Sequence, residues 1–234
     1  RDLDRIASNW TINGPTNIIL AMYIAIAEKR GIPINKLRGT PQNDILKEYL
    51  ARGTYIFPPK PSMRMTRDTI SYCTEHMPLM NTMSISGHHV RDAGATGPLA
   101  SAFQITNAIA YVQLGIGAGL DVDDFVPRMT LYVGVPTGME FFNNIALARA
   151  QRRMWARIMK ERFKAKNPRS WIPRGIGAAY SGLSAGTKQR PLNNLTRGVI
   201  GGIMSALSGG FPNGGTPWDE PLGLGHSPEA QQLS

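Results

Sequence analysis

Thr82-Met83-Ser84-Ile85-Ser86 reads as a short β-strand that stops at Gly87 and a pair of histidines, His88 and His89. Behind it, Pro98 to Gly115 reads as a long helix. The same order recurs on both sides. Upstream, Lys36-Leu37-Arg38-Gly39-Thr40 is strand-like and leads through Gln42-Asn43-Asp44 into a helix near Asp44 to Ala51. There Ile45, Leu46, Tyr49 and Leu50 fall at helical spacing. Before it, Ile12-Asn13-Gly14-Pro15 opens an apolar helix from Thr16 to Arg30, which Gly31 and Pro33 stop. Downstream, Met129 to Val133 is β-like, and Gly138 to Phe163 contains a long amphipathic helix. Strands and helices alternating every roughly 35–45 residues predict parallel βαβ units, in a (β/α) barrel or a doubly wound sheet.

The remaining stretches are expected to be less regular. Pro58-Pro59-Lys60-Pro61 reads as a loop, Thr66 to Glu75 as a short helix, and Asp121 to Phe125 as an acidic loop. After Arg174 the pattern weakens into Gly-rich loops around a helix near Leu192 to Leu207. No solenoid period and no low-complexity tract interrupts the chain.

The 234 residues are 42% apolar and 18% charged, which suits one domain with a real core. A single cysteine, Cys73, excludes an intrachain disulfide framework and any multi-cysteine metal site, and makes a reducing cytoplasm the default. The apolar run Ile18 to Ala27 is about half the roughly 20 residues a membrane span needs, and nothing resembles a secretory leader. No membrane partner is therefore expected. The chain opens on Arg1, as a piece of a longer protein would. Its net charge of +10 is concentrated: Arg149 to Arg174 holds ten basic residues against one acid, Glu161. Such a stretch suits an anionic ligand or a solvated helix face. Nucleic acid is not the expected partner, because the patch has no recognised nucleic-acid motif.

In a parallel barrel, chemistry sits at the carboxyl ends of strands. Three groups are candidates for that position: Gln42-Asn43-Asp44, Gly87-His88-His89, and Arg128 beside a β-like run. Each also has an ordinary structural explanation, as a helix cap, a loop pair lacking the i,i+4 spacing of a helical metal site, and a strand-end ion pair. Spacing alone leaves these open.

Longer motifs narrow the choice. RGTPQNDILKEYLARGTYIFPP (38–59), PSMR (61–64), NTMSISGHHVRDAGAT (81–96), GLDVDDF (119–125) and KNPRS (166–170) resemble the large subunit of the methylmalonyl-CoA mutase family. The likeness is strong from about residue 10 to residue 171 and patchy beyond. It implies an α/β fold, an acyl-CoA-binding (β/α)8 TIM-type barrel present incompletely, as roughly its third to eighth strands. By the same resemblance, residues 1–234 are a partial barrel domain and the cobalamin-binding domain is absent from this chain. The substrate tyrosine of the first strands is missing, and so is the cobalt-ligand motif. Such a chain cannot close the barrel alone.

The resemblance further implies an isomerase that uses adenosylcobalamin and a radical mechanism to rearrange a dicarboxylic acyl-CoA. The cofactor carries the hard chemistry and the protein supplies orientation and shelter from water. His89 matches the catalytic histidine that hydrogen-bonds the thioester carbonyl. Gln42 and Asn81 match polar residues of the substrate pocket, with His88 in its wall where the best-known members have tyrosine. Arg52 matches the arginine that clamps a free carboxylate, where members acting on monocarboxylic acyl groups have glutamine. Arg128 and Lys166 match basic contacts to the CoA phosphates and pantetheine. Asp92 stands for a glutamate near the corrin, and Glu220 for one near the adenosyl ribose. No metal ligand is expected in this chain. The implied partners are the acyl-CoA, a cobalamin-binding domain or small subunit, and a second chain in a dimer or hetero-oligomer.

Two departures stand out. The family's His-Thr-Gln-Thr strand is replaced by Gly175 to Ser184, and its His-Thr-Asn segment by Phe211 to Thr216. Losing two polar pocket groups while keeping Arg52 and His89 points to an alkyl-substituted dicarboxylic acyl-CoA. The alternative is a non-catalytic homologue that serves as a structural partner, against which the retained Gln42, Arg52 and His89 speak.

Overall fold

The computed structural model describes residues 2–132, 140–175, 186–209, 217–223 and 227–233. Its first strand, β1 (Ala7–Trp10), runs parallel to β2 (Arg38–Pro41), with Ala7 opposite Arg38 and Trp10 opposite Pro41. Helix α1 (Thr16–Lys29) makes the crossover. Thr16, Leu20, Tyr23 and Ala27 form its buried face, at the spacing of one helical stripe. That stripe packs with Leu37, Cys73, Met77 and Met80, and the Trp10 ring meets Tyr23 edge-on at 4.8 Å. Burial pushes the Cys73 thiol up to about 12, so the lone cysteine is core rather than chemistry.

β2 continues past Gln42 into α2 (Ile45–Lys47), which widens into a π-turn over Glu48–Arg52 and closes on Gly53 at φ 68°. Next comes α3 (Pro59–His76), which replaces both the expected loop at Pro58 to Pro61 and the expected short helix. Prolines fit there because the first-turn N–H groups have no intrahelical partner to lose.

β3 (Met83–Ser86) pairs in parallel with β4 (Met129–Tyr132), Met83 opposite Met129. The two ladders are joined. Gly39 bridges Met80, the Asn81 N–H donates to the Gly39 carbonyl at 2.9 Å, and the Ser84 N–H donates to the Gln42 carbonyl at 2.9 Å. Gly39 is obligatory at this crossing, since a Cβ there would lie 2.3 Å from the Ser8 carbonyl oxygen. Beyond β4, Thr130 bridges Arg174. Parallel neighbours therefore follow chain order from β1 through β4 to Arg174.

Between β3 and β4 lie α4 (His88–Asp92), α5 (Gly97–Gly117) and α6 (Val122–Phe125). The stretch expected as an acidic loop is this last helix, started by Asp121, whose carboxylate accepts the Asp123 N–H. After β4 come α7 (Phe141–Arg157), which ends in a π-turn over Ile158–Arg162, and α8 (Pro168–Trp171). The last two helices are α9 (Asn193–Leu207) and α10 (Pro228–Leu233). Ile45, Ile70, Ile85, Tyr111, Phe125, Leu131, Trp155 and Met159 belong to one core under the strands. By length and composition alone α5 is apolar enough to cross a membrane, but half of its most apolar window is buried in the fold.

The fold is thus α/β with short parallel strands, as the alternation predicts. β1 is an addition: its sequence, ASNW, carries little apolar signal.

Candidate active site

The carboxyl ends of β2 and β3 lie side by side. Gln42 is locked there by its backbone, donating its N–H to the Trp10 carbonyl while accepting from Ser84. Asn43 follows in the left-handed region at φ 48°, which asparagine tolerates better than most residues, and its side-chain amide donates to the Thr82 carbonyl at 3.2 Å. Asp44 is fully buried. It makes no side-chain cap to α2. Its carboxylate instead accepts the Ser86 N–H at 3.2 Å and the Tyr111 hydroxyl at 2.8 Å, tying β2 to β3 and α5. Burial pushes its pKa up to about 6, against the opposing pull of Tyr111 and Lys47.

Two further buried charges lie beside it. Lys47 and Glu48 are paired at 3.1 Å, with side chains 0% and 1% exposed. The other Glu48 oxygen accepts from the Thr54 hydroxyl and lies 4.0 Å from Arg52 Nε. Arg52 is half exposed, so its guanidinium edge remains open to a ligand. Burial lowers the pKa of Lys47, with Asp44 and Glu48 opposing.

His88 and His89 open α4 immediately after β3. Their rings stack at a tilt, and His88 Nδ1 is hydrogen-bonded to the Ser86 hydroxyl. Burial first, then the charges of Lys47 and Arg52, lower His88 to about 4. Burial, His88, Lys47 and Arg52 lower His89 to about 3. Both imidazoles are therefore neutral near pH 7, where a neutral ring has one N–H to give. Among the described residues, buried His89 Nδ1 has no hydrogen-bond partner. Gln42, Arg52, His88 and His89 thus gather at one end of the sheet, and Asp92 sits exposed at the end of the same short helix, α4.

Arg128 does not belong there. It precedes β4, at the opposite, amino end of the strands, and so is not the strand-end group the spacing suggested. Asn81 is at that end too, in front of β3, donating to the Thr40 hydroxyl at 2.8 Å and accepting from Arg174 at 3.1 Å. Arg128, Arg169 and Arg174 line a cavity of about 340 Å³ with Pro127 and Ile172. Burial and the charges of Arg174, Arg169 and Arg38 lower Arg128's hold on its proton. None of these four arginines forms a salt bridge among the described residues, which leaves a concentrated anion-attracting site. Lys166 is exposed before α8, where Asp123 accepts its backbone N–H at 2.7 Å.

Glu220 lies in a single 3₁₀ turn, Glu220–Leu222, next to α9, where Asn194 donates to the Trp218 carbonyl at 2.9 Å. Its Oε2 is buried without a partner among the described residues. The same residues hold no cluster of three or more metal-ligating side chains. The altered stretches, Phe211 to Thr216 and all of Gly175 to Ser184 except Gly175, lie outside the described residues.

Sequence reasoning missed Asn13, Lys47, Glu48 and Tyr111. The available signal was a Lys-Glu pair inside a helix whose neighbours are apolar, although such a pair usually faces water. Arg169 and Arg174 were seen only as part of a basic run, with no sign that they converge on Arg128.

With polar donors at one end of a parallel sheet and unpaired arginines at the other, the sequence comparisons define the class. Residues 2–231 match the methylmalonyl-CoA mutase family, and the chain belongs to it. It is 43% identical to the methylmalonyl-CoA mutase of Escherichia coli K12 over 222 residues, covering 95% of this chain and 30% of that protein. Identity to the mitochondrial methylmalonyl-CoA mutase of Homo sapiens is 42% over 223 residues, again 95% of this chain and 29% of the relative. The methylmalonyl-CoA mutase large subunit of Streptomyces virginiae is 44% identical over 207 residues, 88% of this chain and 27% of its own length. The chain thus spans about three-tenths of the curated relatives it matches.

Proposed function

We propose that this chain is part of the catalytic barrel of an adenosylcobalamin-dependent acyl-CoA mutase, an isomerase acting on a dicarboxylic acyl-CoA such as methylmalonyl-CoA or an alkyl-substituted analogue. The observation that carries the reading is the division of the site. Gln42, Arg52 and neutral His89 gather where β2 and β3 end, and Arg128 with its neighbouring arginines lies where β3 and β4 begin. A four-residue strand spans about 13 Å. An acyl-CoA is long enough to lie along the strands, its phosphates among the arginines and its acyl group beside the histidines.

Each residue then has a role that its chemistry suits. Arg52, steadied at Nε by Glu48, offers its outer edge to the free carboxylate as a bidentate partner. His89 donates to the thioester oxygen and stabilises charge or spin that shifts onto it as the carbonyl-CoA group migrates. Gln42 supplies a second polar contact, and His88 forms the adjacent wall. Arg128 and Lys166 bind phosphate and pantetheine oxygens, and Asn81 holds Arg174 in the cavity that Arg128 lines.

Adenosylcobalamin, held by a cobalamin domain or small subunit, would supply the radical chemistry when bound. Buried, unpartnered Glu220 Oε2 fits a ribose hydroxyl, and exposed Asp92 fits a polar contact near the corrin. Parallel strands in chain order support a TIM-type barrel, completed by strands from the rest of the polypeptide; residues 1–234 form one partial domain within it. The relative named as a large subunit supports a hetero-oligomer, and the single buried thiol suits a reducing compartment. The test is isomerisation of methylmalonyl-CoA and longer alkyl analogues by the full-length protein supplied with adenosylcobalamin and any partner subunit.

A further inference from the structure

The Gln42 side chain has its orientation imposed from below. Its Oε1 receives Lys47 Nζ at 2.6 Å and Asn13 Nδ2 at 2.9 Å. An ammonium has donors and no acceptor, so the atom it meets must be the amide oxygen. Asn13 is itself oriented: its Oδ1 accepts the Asp44 backbone N–H at 2.9 Å, which turns its NH₂ toward Gln42. That NH₂ also donates to Glu48 Oε1 at 2.7 Å, the oxygen that pairs with Lys47. Both lone pairs of the Gln42 oxygen are thereby occupied, and an amide flip would set its NH₂ against two donors.

We propose that Lys47 and Asn13 are positioning residues that clamp the Gln42 oxygen and so present its NH₂ to the acyl-CoA as a hydrogen-bond donor. The inference rests on the substrate reading of this site and deepens it, because it fixes which end of the amide meets the ligand. A donor there, next to His89, selects an acceptor such as a thioester or carboxylate oxygen and disfavours a ligand hydroxyl that must donate. It also gives the buried lysine a use. An ammonium at 0% exposure needs partners, and the Glu48 carboxylate and the Gln42 oxygen supply them.

The test uses the full-length holoenzyme and a double-mutant cycle on kcat/KM for its acyl-CoA substrate. Gln42→Ala is expected to lower kcat/KM roughly tenfold or more. Lys47→Met is expected to lower it by a similar factor in the wild-type background and by less than about twofold in the Gln42→Ala background. Asn13→Ala is expected to behave likewise. Gln42→Glu leaves the clamp intact but turns an acceptor oxygen toward the ligand, and it is expected to fall below Gln42→Ala. This last variant reports orientation even if Lys47→Met fails to fold. Equal factors for Lys47→Met in both backgrounds, or near-wild-type activity in Gln42→Glu, would overturn the clamp while leaving the substrate site standing. An unaffected Gln42→Ala would instead remove the substrate reading of Gln42 itself, and the clamp with it.

Discussion

His88 and His89 stack with ring centroids 3.8 Å apart and planes 32° from parallel, and the charges of Lys47 and Arg52 bear on both rings. Burial first, then for His89 the neighbouring His88, and then the nearby cations keep the two imidazoles from readily taking up protons. They act as a neutral pair.

The first prediction concerns pH. Both histidines are lowered from 6.5, His88 to about 4 and His89 to about 3, so the unfolded chain binds their protons first as pH falls. Their contribution is fully present above about pH 6.5 and is lost progressively below it. Asp44 runs the other way: raised from 3.8 to about 6, it takes up a proton in the fold first and offsets part of that loss. Two groups outweigh one. Denaturant midpoints of the full-length protein are expected to be lower at about pH 5 than at about pH 7; equal midpoints would contradict the burial of the pair.

Arg52 should set the acyl class. Arg52→Gln is expected to raise KM for a dicarboxylic acyl-CoA by about 10- to 100-fold, the loss of a charge-assisted pair, with little penalty for a monocarboxylic analogue. Comparing the two substrates on the same variant checks it. A parallel loss on both would remove Arg52 from carboxylate recognition.

At the other end of the sheet, Arg128→Ala is expected to weaken binding of CoA esters several-fold while leaving kcat nearly unchanged. The matching pantetheine ester, which lacks the nucleotide phosphates, should bind wild type and variant alike. Equal losses for both esters would show that Arg128 acts on the fold.

Tyr111 joins α5 to the site through one hydroxyl, which accepts the Leu46 N–H at 2.8 Å and donates to Asp44. Tyr111→Phe leaves both groups buried and short of a partner, at a cost of about 1–3 kcal/mol of stability. Equilibrium denaturation measures it, and an unchanged midpoint would mean that Asp44 is held by other contacts.

Much of this was legible in the sequence, for physical reasons. β3 and its histidines announce themselves because the alternating run Thr82 to Ser86 ends at Gly87, and α5 because its apolar length exceeds any loop. β1 was not legible, since only pairing with β2 makes its polar residues a strand. The start of α3 was hidden by prolines, which look like breakers until they occupy the first turn. Spacing alone offers Arg128 and His89 as groups at the same ends of the strands, whereas the fold sets them at opposite ends, because Arg128 precedes β4 and His89 follows β3. Lys47 shows the deepest limit. Its apolar neighbours are the one local hint of burial, and the groups that make burial tolerable, Gln42 and Asn13 around the Lys47–Glu48 pair, converge only in three dimensions.

The most direct measurement is the turnover of methylmalonyl-CoA and longer alkyl analogues by the full-length protein with adenosylcobalamin, beside its His89→Ala variant. Cobalamin-dependent isomerisation of at least one dicarboxylic acyl-CoA is expected, with kcat falling about 10²-fold or more in the variant. An active enzyme indifferent to His89→Ala would contradict the proposed site, and a fully loaded protein inactive on every dicarboxylic acyl-CoA would contradict the proposed function.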